Sequence, residues 1–191
     1  MPKPDKREEI LCSALHLIAE HGFHGAPMAM IAERAGVGAG TIYRYFENKD
    51  VLINEMYKEL EKRLTAYLLE GYAVEQPLRD RFLHLSTAVL RYCITNPIHF
   101  KYLEQFHNSP YGVAHRRDKF LGKSVQRDLY CELFEQGVTQ GTIKNLPMVV
   151  LCSLAFGPLI FIARDHILGF VTLDDKLINN IISACWDSLK S

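Results

Sequence analysis

The 191-residue sequence has no surplus of either charge, with Lys plus Arg and Asp plus Glu each numbering 22. No global field marks a polyanion partner, so any nucleic-acid site has to be local. A Cys-x-x-Cys pair is also missing. The five cysteines (Cys12, Cys93, Cys131, Cys152 and Cys185) are scattered and odd in number, which argues against a disulfide framework or a thiolate zinc site and fits a reducing cytoplasm. Neither the His16, His21, His24 set nor the His99, His107, His115 set has the i, i+4 spacing with a carboxylate that a helical zinc site uses, so no metal is expected. Ser-His-Asp, Cys-His and paired-carboxylate patterns do not stand out, and neither an enzyme nor a cofactor is expected.

Charge is absent between Lys144 and Arg164, a length near the roughly 18-residue threshold for a membrane span. Pro147, Ser153 and Gly157-Pro158 within it argue instead for a helix packed on protein on all sides, which hints at a subunit interface. The N-terminal residues mix both charge signs and lead into apolar positions interrupted by Ser13 and His16, so no signal peptide is read and a cytoplasmic location is expected.

Hydrophobic residues make up 48% and charged residues 23%, the composition of a chain that builds a core. No convincing alternating strand, repeat or low-complexity linker is found, while helical periodicity runs throughout. Asp5 and Glu8 open a first helix and Gly22 is expected to end it. Pro27 opens a second, stopped at Gly36, and Asn48 caps a long helix running to about Gly71. Further helices are read from Pro77 to Thr95, over "PIHFKYLEQFHNSPYG" with a stop at Asn108-Ser109-Pro110, up to Gly137 or Gly141, from Pro147 to Gly169, and from Asp174 to Leu189. The expected fold is all-α, with about nine helices. "HRRDKFLGKSVQR", residues 115–127, reads as a solvated helix face.

The stretch "GVGAGTIYRYFENKD" explains its own glycines. Two short helices joined by a four-residue turn at Ala35-Gly36-Val37-Gly38 have helix-turn-helix spacing. Ala32 permits close approach, Gly36 supplies a positive φ, and Val37 plugs the angle. After the bend, Ile42 and Phe46 lie four apart and face the core, leaving Gly40 and Arg44, flanked by Thr41 and Tyr43, on the opposite side. Thr reaches base edges or phosphates, and Arg pairs bidentately with guanine. Tyr45 is placed to donate to a phosphate, and Lys49 adds its charge to a helix N-terminus.

"IAERAGVGAGTIYRYFENKDVLINEMY" resembles the DNA-binding region of the TetR (TetR/AcrR) family of bacterial transcriptional regulators, whose pattern runs here from Ile31 to Leu52. The resemblance implies recognition-helix contacts at Gly40, Thr41, Tyr43 and Arg44, and phosphate contacts at Tyr45 and Lys49. It implies a homodimer on a palindromic double-stranded DNA operator, usually repressing, and released when a small molecule enters the C-terminal domain. It also implies a cavity among the middle helices, lined by some of Leu64, Phe82, Leu85, Phe100, Phe106, His107 and Phe134. Few charges fall on those faces, so an apolar or aromatic effector is expected. The sequence departs from the pattern at Ala26, Pro27, Met28, Ala29 and Met30, where relatives often place Thr or Ser and then a basic or polar residue. Fewer backbone contacts from the second helix follow.

Domains are expected at 1–48, a three-helix helix-turn-helix head, and 49–191, a helical effector-binding and dimerisation domain. The penultimate and last helices are expected to form a four-helix interface with their symmetry mates through Leu154, Leu159, Ile162, Ile178, Ile181, Ile182 and Trp186. Gly157-Pro158 is expected to bend the penultimate helix. Two other readings share parts of this plan: a DNA-binding regulator without effector control, and an enzyme using the C-terminal cavity.

Overall fold

The computed structural model describes residues 5–120 and 129–191, so residues 121–127 of the basic stretch lie outside it. The fold is all-α. Among the described residues there are ten helices: α1 Lys6–Gly25, α2 Met28–Arg34, α3 Ala39–Tyr45, α4 Lys49–Leu69, α5 Leu78–Thr95, α6 Pro97–His107, α7 Pro110–Phe120, α8 Leu129–Thr139, α9 Met148–Ile167 and α10 Asp175–Leu189.

The count exceeds the expected nine because Pro110 opens a helix as well as following one. A proline lacks only an N–H that the first turn leaves unbonded. Ser109 sits between α6 and α7, its hydroxyl donating to the Phe106 carbonyl at 2.6 Å. Gly22 has the expected positive φ of 72°, but its ψ of 175° is extended, and the chain resumes helical turns to Gly25. Pro27 takes the N-cap of α2 rather than its first turn. Asn48 caps α4 as expected, its side-chain oxygen accepting from Val51 N at 2.9 Å.

The chain divides into two compact units, each discontinuous in sequence. The first runs to Arg63 and takes in Asn96–Ala114; the second holds Leu64–Thr95 and the described residues of His115–Ser191. The first unit's core gathers Ile10, Ala14 and Ile18 of α1, Ile31 of α2, Ile42 of α3, Leu52 and Met56 of α4, and Phe106 of α6. Tyr102 of α6 is buried there and donates its hydroxyl to the Ile53 carbonyl at 2.7 Å. That bond explains why α6 joins the head, since a buried phenol needs an acceptor.

In the second unit Phe82 of α5 packs against Phe134 of α8 and Trp186 of α10, at centroid separations of 6.4 and 5.4 Å. Leu151, Ala155, Leu159 and Ala163 give α9 one buried side. By length and composition α9 could cross a membrane; here its small and branched residues seat it on α5 and α10. The helix is continuous through Pro158.

Candidate nucleic-acid interface and regulatory faces

The turn between α2 and α3 is built by backbone chemistry. Gly36 holds φ 63°, a left-handed geometry that costs glycine little. Val37 N then donates back to the Ala32 carbonyl at 2.9 Å, and Gly36 N to Glu33 at 3.0 Å, closing the end of α2. Gly38 is the extended N-cap of α3.

From that start α3 presents two chemically opposite sides. Ile42 and Phe46 are 0% and 1% exposed, which pins the helix to the first unit's core. Tyr43 and Tyr45 stand 53% and 43% exposed. Gly40 and Arg44 are also exposed, and Thr41 is half-buried. Among the described residues, Arg44 and the hydroxyls of Tyr43 and Tyr45 have no protein partner. A guanidinium and two phenols with unused donors, on a helix anchored from behind, suit phosphates and base edges.

Lys49 is placed differently from the expectation. Its ammonium donates to the Phe23 carbonyl at the end of α1 and is partly buried. Burial pushes its pKa below the ordinary lysine value, only partly offset by Asp50. Next to it, Tyr111 of α7 donates its hydroxyl to Asp50 Oδ1 at 2.5 Å. The hydrogen bond to Asp50 and then burial raise the Tyr111 pKa to about 12. Phe23 closes this cluster edge-on against Tyr111 and Tyr102. Aromatic spacing alone did not reveal it, because Tyr111 is some 60 residues from Asp50.

The residues expected to line one cavity fall into both units. Leu64, Phe82, Leu85 and Phe134 belong to the second, and Phe100, Phe106 and His107 to the first. Phe106 is stacked on Tyr57 at 3.9 Å and is part of the first unit's core. His107 is exposed at the end of α6, its ring edge-on to Tyr57 and Phe106.

The expected dimer set also divides. Leu159, Ile178, Ile182 and Trp186 are buried within the protomer, where α9 and α10 cover α5. Leu154, Ile162 and Ile181 remain partly open and line a groove of ≈ 420 Å³ with Ser153, Pro158 and Ala184. Phe161 on α9 is 62% exposed. Among the described residues no group of three or more His, Cys, Asp or Glu side chains could hold a metal ion.

Residues 10–56 match the bacterial regulatory proteins of the tetR family, and residues 77–190 match the tetracyclin repressor-like C-terminal domain. A TetR-family transcriptional regulator of known structure from Vibrio parahaemolyticus is 32% identical, covers 98% of this chain and 99% of its own, and superposes with a TM-score of 0.78. An HTH-type transcriptional regulator of Haemophilus influenzae is 24% identical over 98% of this chain and 97% of its own. The fatty acid metabolism regulator protein of Bacillus subtilis is 42% identical over 57 residues, 30% of this chain and 29% of its own.

Proposed function

The chain belongs to the TetR family of bacterial regulatory proteins and is a DNA-binding transcriptional regulator, and from that premise we propose that it acts as a homodimeric repressor whose grip on a palindromic operator is released by a small effector with a mainly apolar or aromatic body. The observation that carries this reading is the two-sided α3, with Ile42 and Phe46 buried and Tyr43, Arg44 and Tyr45 turned outward with unused donors. Gly40 lets backbone approach the groove floor, Thr41, Tyr43 and Arg44 make the recognition contacts, and Tyr45 holds a phosphate. Lys49 acts first as the strut between α4 and α1, and its charge adds to the field that phosphates meet at the α4 N-terminus.

Two copies would pair through the open side of α9 and α10, using Leu154, Ile162, Ile181 and Phe161. Their recognition helices would then enter successive major grooves about 34 Å apart. The effector body is assigned to the aromatic second unit around Leu64, Phe82, Leu85 and Phe134. Because α4 begins in the first unit and ends in the second, it is the element through which effector binding can reach the DNA-facing residues. A coupling of about 1–3 kcal/mol between the two sites weakens operator binding about 5- to 150-fold.

The test is Tyr43→Ala. It should abolish operator-specific binding in a gel-shift or anisotropy titration while sedimentation still shows the parent's oligomeric state; undiminished specific affinity would refute the docking of α3.

A further inference from the structure

Among the described residues Arg81 is the one buried charged side chain, 8% exposed on α5. Its Nε donates to the Tyr72 hydroxyl at 2.9 Å and its Nη1 to Gln136 Oε1 of α8 at 2.7 Å. The guanidinium carbon also lies 5.6 Å from the Tyr72 ring centroid. Both oxygens are neutral, no carboxylate pairs with the guanidinium among the described residues, and Nη2 donates to no protein acceptor. The adjacent carboxylate of Asp80 is turned outward to Arg79, 3.9 Å away, with both side chains more than half exposed.

A guanidinium keeps its charge at any physiological pH, and withdrawing it from water without a counter-charge is costly. A structural tie between Tyr72 and Gln136 needs donors but not a charge. What the arrangement adds is a fork held in one orientation, with its Nη2 donors unused. A planar carboxylate is the group that such a fork pairs with. One cation serves the site, which suits a single negative charge. A phosphate dianion would leave one of its charges uncompensated at a site with a single cation.

We infer that Arg81, oriented by Tyr72 and Gln136, is the receptor for the carboxylate of the effector, so that the ligand is an organic acid with an apolar body and not a neutral hydrocarbon. The inference rests on the effector reading given above and narrows its ligand class.

The full-length protein is titrated calorimetrically with octanoate and with 4-phenylbutyrate, each against its primary amide. At least one acid should bind about tenfold or more tighter than its amide, as expected of a charge-assisted hydrogen bond. Gln136→Glu places an internal carboxylate on the guanidinium and should weaken acid binding by a similar factor, with circular dichroism confirming the parent fold. Arg81→Gln should erase the difference between acid and amide. Equal binding of acids and amides, no binding of either acid, displacement of the acid by an equal concentration of inorganic phosphate, or a Gln136→Glu protein that binds the acid like the parent would overturn the inference. A neutral apolar compound that releases operator DNA while neither acid binds would overturn it too, yet leave the effector-controlled repressor standing.

Discussion

At the scale of single residues, the legible ones were those whose role follows from helical spacing. Ile42 and Phe46 are four apart and both buried, so the outward placement of Gly40, Tyr43 and Arg44 could be read before any coordinates. Residues whose role depends on a partner distant in sequence were not legible. Lys49 looks like a helix-end cation until the Phe23 carbonyl is seen, and Arg81 looks like a surface arginine until Tyr72 and Gln136 are brought to it. The Tyr111 to Asp50 bond belongs to the same class and has a measurable signature. Its phenol keeps its proton to about pH 12 in the folded chain, against about 10 when unfolded. The folded pKa is the higher one, so the stability it contributes is whole below about pH 10 and is lost as pH rises towards 12. Urea melts between pH 9 and 12, a window set by those values, should therefore show a steeper alkaline loss for the parent than for Tyr111→Phe. Parallel curves would mean that the bond does not form in solution.

Among the elements, the helices with strong apolar periodicity were legible and the polar one was not. The α7 segment "PYGVAHRRDKF" has almost no apolar stripe, and its opening proline reads equally as a stop or as a start. The α9 and α10 pair shows a second limit. A helix apolar on all sides implies neighbours on all sides, but not which side meets its own protomer, and here one side alone is buried. The structure separates the two: Leu159, Ile178, Ile182 and Trp186 face inward, while Leu154, Ile162 and Ile181 face the groove. Substitutions on the two sides should behave differently. Leu159→Ala should cost about 2–5 kcal/mol of folding stability, as truncation of a buried leucine does. Leu154→Arg should leave the thermal transition of the protomer largely intact and yield monomers by sedimentation velocity, with operator affinity lost alongside the dimer. A dimeric Leu154→Arg protein would place the subunit interface elsewhere.

For the whole molecule, the all-α class and the helix-turn-helix head were evident in the sequence, because a specific turn motif and an unbroken helical period both point to them. The organisation into compact units was not. The division expected at residue 48 follows the motif's end, whereas the first unit extends along α4 to Arg63 and recruits α6, whose Tyr102 must reach the Ile53 carbonyl. The charge balance also matters at this scale. Residues 1–46 carry five basic and five acidic side chains, so on the proposed docking the head would offer little unspecific attraction to DNA and would depend on its base contacts. That dependence makes one measurement decisive. The purified protein is used to select fragments from the genome that encodes it, and the winner is titrated at two salt concentrations. A single palindrome bound by a dimer, its half-sites about one helical turn apart and its affinity far above that for unrelated DNA at both salts, is the expected result. A folded dimer that recovers nothing above background, or that binds every fragment alike with affinity collapsing as salt rises, would contradict the account of α3 as a sequence-reading helix.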